Sequence, residues 1–301
     1  MTKAYRLYQI DSFTKNKFTG NPAGVITNAD GLTENEMRKI ARELNNSETA
    51  FIFSPDHSTY DAHVRFFTPT TEVPICGHAT IAAHYARAIE LQLDTTRVHH
   101  KTGIGILPVD IIREENDYRI IMEQGKIEFG SIIEGENKAL LLSALKISEE
   151  DLMGDCPFQI VSTGNSKVMI ALKSRSLLNQ LKPNNQALTD LSKRIGCNGY
   201  YTFTKNDDDK EILVHGRMFA PAVGINEDPV TGNANGPLGA YLVHHNLVNY
   251  VGDSFEFKAK QGEAIERPGT IDVSVQMENG VPVGVSISGS AVIVYQTELI
   301  L

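Results

Sequence analysis

The chain repeats itself, and this repetition constrains its fold more than any other feature. Three short motifs of the first half recur in the same order in the second half. The matching pairs are residues 19–26 with 163–170, 65–69 with 217–221, and 74–79 with 229–234. The offset grows only from 144 to 155 residues, which predicts two related units with small insertions. Similar units that face each other create a cleft, and ligands preferentially bind in such clefts.

Composition excludes several classes of protein. At 301 residues the chain is long enough for two domains with separate cores. The net charge of −9 comes without a cluster of lysine or arginine, so we expect no nucleic-acid partner. Three cysteines and the lack of an apolar leader favour a reducing compartment, and we expect a cytoplasmic protein. No apolar run approaches roughly 18 residues, so no membrane partner is expected.

The residue pattern predicts many strands and one long helix in each half. A capping box of Thr33 and Glu36 predicts a helix that ends near residue 45. Long helices are expected over residues 78–91 and 234–246, where Pro237 is tolerable only in the first turn. Strands are expected at 5–10, 49–53, 62–67, 271–277 and 283–287, with one buried on both faces at 291–295 and turns at 116–117 and 206–209.

These elements predict an α+β fold with two pseudo-symmetric domains. The first domain covers residues 1–125 and the second covers residues 126–289. In each domain we expect a sheet to wrap around the long helix.

Glu48 is the first candidate for chemistry, because it stands where a loop leads into a strand. Its counterpart in the second half falls at residues 198–199, where no carboxylate is present. In a duplicated scaffold this asymmetry indicates a single acid/base in the shared cleft. The alternative is a solvated acid in a loop.

The start of the first long helix is the second candidate site. Gly77 allows close approach of a ligand, and the N–H groups and dipole of a helix start favour an anion. His78 could hold a substrate carboxylate or donate a proton, and Cys76 could act as a base. The alternatives are a histidine that packs at the helix terminus and a small buried thiol.

The second copy of this helix start carries Thr231, Gly232 and Asn233. It adds Asp228, a carboxylate without a clear counterpart before Pro74. Together with Glu48 and His78, these residues predict a proton-transfer site for a small carboxylate. The sequence contains no metal-ligand spacing and no cofactor motif, so we expect neither a metal nor a cofactor.

Four blocks of sequence resemble the signature blocks of the PhzF-like phenazine-biosynthesis family, above all its uncharacterised bacterial isomerase branch. The blocks are residues 18–23, 47–51, 74–79 and 227–232. The resemblance implies the diaminopimelate epimerase fold, in which each domain is a β-barrel-like sheet around a central helix. It also implies that the strand at 290–301 completes the first domain, and that the protein is a cofactor-free isomerase and often a homodimer.

The resemblance also assigns roles to residues. It implies that Glu48, His78 and Asp228 are catalytic. The candidate substrate-binding residues are Asn21, Cys76, Gly77, Thr231, Gly232 and Asn233. Diaminopimelate epimerase carries a cysteine at both helix starts, whereas Thr231 takes the second position here, so a two-thiol epimerase is not expected. The phenazine enzyme has no thiol at the position of Cys76, and Asn233 replaces a serine that is common in the family.

The predicted function is therefore an isomerase that moves a proton on a small carboxylate. In this hypothesis Glu48 removes the proton from one carbon and returns it to another on the same face of the substrate. One alternative is a racemase or epimerase in which Cys76 and Glu48 act from opposite faces. Another is a non-catalytic protein that binds a small molecule on the same scaffold.

Overall fold

The computed structural model describes residues 3–154, 156–205 and 211–301. The chain divides into two compact units, which we call unit 1 (Met1–Glu123 with Ser288–Leu301) and unit 2 (Gln124–Ile287). The turn predicted at residues 206–209 lies outside the described residues. Among the helices of these described ranges, none combines the length and apolar character needed to cross a membrane.

Unit 1 is a mixed sheet packed against one long helix. Its strands are β1 (Ala4–Ser12), β2 (Asn21–Ile26), β3 (Glu48–Phe53), β4 (Ala62–Phe67), β5 (Glu72–Val73), β6 (Thr96–Thr102), β7 (Gly105–Arg113), β8 (Tyr118–Glu123) and β18 (Ala291–Ile300), and its helices are α1 (Glu34–Leu44) and α2 (Gly77–Leu91). The pairing order is β18-β1-β2-β3-β4-β6-β7-β8, with β5 paired to β4. The pairs β2–β3 and β4–β6 are parallel, and the others are antiparallel.

The two helices of unit 1 differ because their sequences differ. Ten of the 15 residues of α2 are buried, and five of these are alanines, as expected for a helix that is enclosed on most sides. Helix α1 buries a single face, and it begins with the predicted capping box, in which Glu36 accepts a hydrogen bond from the Thr33 N–H at 2.7 Å. The predicted capping box is therefore confirmed.

Unit 2 has the same kind of architecture. Its strands are β9 (Glu128–Ile132), β10 (Gln159–Ser162), β11 (Lys167–Ala171), β12 (Tyr200–Lys205), β13 (Val214–Ala220), β14 (Ile225–Asp228), β15 (Ser254–Gln261), β16 (Gly269–Glu278) and β17 (Val281–Gly289), and its helices are α3 (Gly135–Leu145), α4 (Arg175–Gln180), α5 (Asn185–Ile195) and α6 (Gly232–His244). Strands pair in the order β9-β10-β11-β12-β13-β15-β16, with β14 paired to β13. Here β11–β12 and β13–β15 are the parallel pairs.

The two units therefore share one succession of parallel and antiparallel pairs. In each unit a buried helix, α2 or α6, packs against the sheet, and an amphipathic helix, α1 or α5, covers a separate apolar cluster. The predicted α+β class is confirmed. Duplication of one ancestral unit remains an inference from the recurring motifs.

Two predictions about single elements are wrong. Helix α6 begins at Gly232, two residues earlier than predicted, so Pro237 is its sixth residue and lies inside the helix. Because proline has no N–H, it cannot donate the helical bond to the carbonyl of Asn233. The run at 291–295 forms a strand, but it is not buried on both faces, since Tyr295 is 47% exposed. Valine and isoleucine favour extended backbone whatever their burial.

Candidate active site

Glu48 is held at the first position of β3. This strand runs parallel to β2, and Glu48 pairs with Ala23 there. Phe51 belongs to the apolar cluster under α1, so alternation along the strand directs Glu48 to the opposite face, on which α2 packs. The preceding loop is fixed by reciprocal amide hydrogen bonds between Asn46 and Gln9, at 2.9 and 3.1 Å.

Three side chains surround the Glu48 carboxylate in unit 1. His78 Nε2 lies 3.5 Å from Glu48 Oε2. The other ring nitrogen, Nδ1, lies 3.4 Å from the Sγ atom of Cys76. Ser47 Oγ lies 3.4 Å from His78 Nε2. The structure thus brings together three of the candidate residues, Glu48, Cys76 and His78, and adds Ser47.

The environment of Glu48 favours its protonated form. Burial raises the pKa of the Glu48 carboxyl, and hydrogen bonds from Ser47 and Cys76 oppose this rise. Only 15% of the Glu48 side chain and 7% of the His78 side chain are exposed. A carboxyl group whose pKa is raised towards neutrality is suited to both accepting and donating a proton.

The start of α2 lies beside this carboxylate. Its N-cap residue, Cys76, has extended backbone, and within the described ranges its side chain does not cap the helix. The N–H groups of the first turn therefore remain oriented towards a possible anion. Ser12 supports this turn by donating to the carbonyl of His78 at 2.8 Å. Asn21 is fully buried at the start of β2 and pairs with Ser12.

The same three side chains also define the group of described residues that could hold a metal ion. One donor atom from each of Glu48, Cys76 and His78 lies within 4.8 Å of the others. The Cys76 Sγ atom itself lies 3.4 Å from His78 Nδ1.

Asp228 occupies the corresponding region of unit 2. It is buried at the end of β14 and pairs with Met218, whereas in unit 1 the residue paired with Phe66 is Val73. Because Phe66 and Met218 are equivalent in the repeated motif, Val73 is the counterpart of Asp228. The carboxylate of Asp228 accepts a hydrogen bond from the hydroxyl of Thr231.

Gln261 fixes the start of α6, and the sequence analysis missed it. Its Oε1 atom accepts from the Thr231 N–H at 3.2 Å and from Asn235 Nδ2 at 3.0 Å. Its Nε2 atom donates to the carbonyl of Asp228 at 2.7 Å. Gln261 and Asn235 are both fully buried. Gly232 and Asn233 follow as the first two residues of α6.

Lys167 is a second residue that the sequence analysis missed. It is the first residue of β11 and only 4% exposed. Burial lowers its pKa to about 8, while the charges of Cys197 and Asp228 act in the opposite direction. The signal was present in the repeat, because Lys167 stands where the first copy has the small residue Ala23.

The fold and the acid–histidine–thiol cluster at a helix start define a class, the isomerases with a diaminopimelate epimerase-like fold. The chain belongs to the phenazine biosynthesis-like protein family, PhzC-PhzF, whose model matches residues 10–297. The expected resemblance and fold class are thereby confirmed.

Individual relatives agree with this assignment. The chain is 68% identical over 301 residues to an uncharacterized isomerase of Clostridium acetobutylicum, covering 100% of both chains. It is 30% identical over 264 residues to the trans-2,3-dihydro-3-hydroxyanthranilate isomerase of Pseudomonas aeruginosa, covering 88% of each. Its structure is similar to the crystal structure of the Bacillus anthracis phenazine biosynthesis protein of the PhzF family, with a TM-score of 0.90, 32% identity and coverage of 99% and 100%.

The family assignment decides between two of the predicted classes of function. The relatives are named as isomerases, and the chain is an isomerase. The alternative of a non-catalytic binding protein is therefore wrong.

Proposed function

We propose that this isomerase moves a proton between two carbons of a small carboxylate, with Glu48 as the general acid/base. One observation carries the proposal: a buried carboxyl group with a raised pKa contacts a histidine and a thiol beside the start of α2. The first compound to test is trans-2,3-dihydro-3-hydroxyanthranilate, because a relative of the chain is named for its isomerisation.

The reaction needs one proton and no net change in oxidation state. Ionised Glu48 removes a proton from carbon, and the electron pair of the C–H bond moves into the adjacent unsaturated system of the substrate. Glu48, now protonated, returns the proton to a different carbon on the same face. Positioned acid/base catalysis of this kind contributes about 10²–10⁴-fold.

His78 supports both halves of this cycle. Its Nε2 atom faces the Glu48 carboxylate at 3.5 Å, and a protonated imidazole there would stabilise the carboxylate that forms when the proton leaves. The first turn of α2, including Gly77, would bind negative charge on the substrate. Asn21 is proposed as a further substrate-binding residue because it is buried in the same unit.

The residues at the start of α6 are proposed to take part in the same reaction. Asp228 would be the third catalytic residue, and its hydrogen bond from Thr231 fixes the carboxylate. Gly232 and Asn233 would bind substrate through the first turn of α6. The homodimer and the cytoplasmic location implied earlier are retained as proposals, and light scattering on the purified protein tests the former.

The geometry favours an isomerase over an epimerase that uses Cys76 and Glu48 from opposite faces. Donor atoms of Cys76, Glu48 and His78 all lie within 4.8 Å of one another, and the thiol lies 3.4 Å from His78. Two groups this close together approach a substrate from the same side. Two bases that flank one carbon must instead be separated by that carbon.

The test is proton exchange measured by NMR and mass spectrometry. The enzyme is incubated with trans-2,3-dihydro-3-hydroxyanthranilate in heavy water, and the position of deuterium in the product is determined. We expect the removed proton at the accepting carbon, and any deuterium that enters from solvent at that same carbon. The variant Glu48→Gln should fold normally and lose activity by about 10²–10⁴-fold.

A matched control is Glu43→Gln, because Glu43 is an exposed glutamate at the end of α1. This control should keep full activity. Full turnover by Glu48→Gln would overturn the proposal. If that substrate is not converted, a panel of small unsaturated carboxylates is screened for exchange of C–H protons that requires Glu48, and exchange without Glu48 would also count against it.

A further inference from the structure

We propose that Lys167 of unit 2 binds the carboxylate of the substrate as a buried, fixed positive charge. The inference rests on the proposed function for the identity of the substrate class. It does not depend on Glu48 being the base.

Lys167 faces the same side of its sheet as the start of α6. Its neighbours in the strand, Val168 and Ile170, belong to the apolar cluster under α5. Side chains alternate along a strand, so Lys167 points to the other face, against which α6 packs. This is also where Asp228 lies, close enough to Lys167 for its charge to act on the ammonium group.

Lys167 and Glu48 lie in equivalent strand pairs of the two units, but on opposite strands of the pair. In unit 1 the strand pair β2–β3 places a small residue, Ala23, beside Glu48. In unit 2 the equivalent pair β11–β12 places Lys167 beside Gly199, whose carbonyl accepts from the N–H of Val168 at 2.8 Å. In unit 1 the second strand of the pair carries the large ionisable residue, which is acidic. In unit 2 the first strand carries it, and it is basic.

Gly199 is required for this arrangement. A Cβ atom built on Gly199 would lie 2.2 Å from Cδ of Lys167 and 2.7 Å from Cε. The aliphatic part of the lysine therefore crosses directly over the glycine backbone. No residue other than glycine fits at this position without displacing the lysine.

The ammonium group is buried with few partners. Its Nζ atom donates to the carbonyls of Asn165 and Ser166, at 3.3 and 3.1 Å. These two acceptors are neutral backbone groups, and the charge of Asp228 acts on the ammonium group from nearby. A buried ammonium has three N–H donors and is costly to desolvate unless it is paired with an anion.

These features together indicate an anionic ligand. Asp228 supplies negative charge nearby, while the described hydrogen bonds of the ammonium group go to neutral carbonyls. A small carboxylate would complete the hydrogen bonds of the ammonium group and neutralise its charge. Charge-assisted hydrogen bonds of this kind are worth about 1.5–3 kcal/mol, or roughly 10- to 150-fold in affinity.

The test compares two ligands that differ only in charge. Binding of 3-hydroxyanthranilate and of its uncharged amide is measured by titration calorimetry. The proteins are the wild type, Lys167→Met and Lys173→Met, an exposed lysine of the same unit. We expect the wild type and Lys173→Met to prefer the acid at least tenfold, and Lys167→Met to bind acid and amide within about twofold of each other.

The same titrations with Glu48→Gln separate this inference from the proposed function. The acid should still be preferred when Glu48 is replaced, because binding needs no proton transfer. Retention of the tenfold preference by Lys167→Met would overturn the proposal. Equal binding of both ligands by the wild type would overturn it as well.

A direct readout is the ¹⁵Nζ resonance of Lys167, assigned by its loss in Lys167→Met. It should shift when 3-hydroxyanthranilate is added and stay in place with the amide. An unchanged resonance with both compounds would contradict the proposal, whether or not the variant folds well enough for calorimetry.

Thermal stability distinguishes a binding role from a structural one. If Lys167 is kept for ligand binding, the apolar Lys167→Met variant removes a buried charge and should melt at the same temperature or some 2–4 °C higher. If the lysine instead holds the loop at residues 165–166, the same substitution should lower the melting temperature. The latter result, combined with an unchanged acid preference, would assign Lys167 to the scaffold.

Discussion

The two units pair their strands in the same order, yet they expose equivalent groups to solvent very differently. Arg65 forms a two-point ion pair with Glu72, and Arg217 forms the equivalent pair with Glu227. The side chains of the first pair are 25% and 37% exposed, whereas those of the second are 7% and 11% exposed. A repeated motif therefore predicts which residues pair, but it does not predict how much of the pair is removed from water.

The largest expected effect comes from breaking the buried ion pair. Glu227→Ala leaves the Arg217 guanidinium buried beside the backbone carbonyls of Leu178, Asn179 and Leu181, without its carboxylate. We expect a loss of about 3–5 kcal/mol in the free energy of unfolding, as for other buried pairs that lose one partner. The matched variant Glu72→Ala should cost about 0–1 kcal/mol. Urea denaturation measures both, and equal losses would contradict the difference in environment.

A second difference concerns acid sensitivity. Unit 1 contains a fully buried histidine pair, in which His84 Nε2 lies 3.2 Å from His100 Nδ1. The repeated motifs and the pairing of β4 with β6 and of β13 with β15 identify Gly239 and Ala259 as their counterparts in unit 2. Unit 1 thus has two buried histidines at positions where unit 2 has a glycine and an alanine.

We therefore expect unit 1 to lose stability first in mild acid. Burial lowers the pKa of His100 to about 4, and burial, His100 and Arg87 together hold the pKa of His84 well below its usual value. Below about pH 6.5 the histidines of the unfolded chain bind protons, whereas the buried pair of the folded chain stays neutral. The free energy of unfolding therefore decreases as the pH falls from 6.5 towards 4. For His100 alone the loss approaches about 3 kcal/mol at pH 4.

Hydrogen exchange between pH 7 and pH 4 measures this effect in each unit. Peptides from α2 and β6 should lose protection before those from α6 and β15. The double variant His84→Leu with His100→Leu provides the reference, since other acidic groups also titrate in this range. An identical pH dependence in the variant and the wild type would show that the histidine pair does not carry the effect.

The sequence predicted those features that depend on local pattern. The capping box at Thr33 and the positions of β4 and α2 follow from residues close together in the chain, and the structure agrees with them. The family motifs also identified Glu48, Cys76 and His78, which the structure brings into contact. Each of the two blocks, residues 47–51 and 74–79, is a short local signature, so the sequence carried the information.

The features that the sequence did not predict depend on distant contacts. Gln261 connects the start of α6 to β15, and no motif marks it. Lys167 differs from its counterpart Ala23 in the repeat, but its packing against Gly199 is visible only in the structure. Proline is best tolerated in the first turn of a helix, which predicts a later start for α6. The observed helix is buried along most of its length and contains Pro237 in its interior.

A smaller effect is expected from the hydrogen bonds at the two helix starts. Gln261→Met removes the acceptor of the Thr231 N–H and the donor to the Asp228 carbonyl. Buried groups left without partners should lower the free energy of unfolding by about 2 kcal/mol. Ser47→Ala is the comparison in unit 1, where the serine is only half-buried, and we expect less than about 1 kcal/mol. Chemical denaturation with both variants measures the difference, and a larger loss for Ser47→Ala would reverse the comparison.

The smallest predicted effect is that of Cys76→Ala, and it separates the two isomerase mechanisms. Cys76 and Thr231 are the equivalent N-cap residues of α2 and α6, so this position carries a thiol in one unit and a hydroxyl in the other. If Glu48 alone carries the proton, the thiol only tunes its acidity through the hydrogen bond, and kcat/KM should fall by no more than about tenfold, which corresponds to about 1.4 kcal/mol. If Cys76 is a second base, the loss should reach about 10²–10⁴-fold.

Steady-state kinetics distinguishes the two mechanisms, with Cys156→Ala as the control for general thiol effects. A loss of the larger size would replace the one-base isomerase mechanism by the epimerase mechanism.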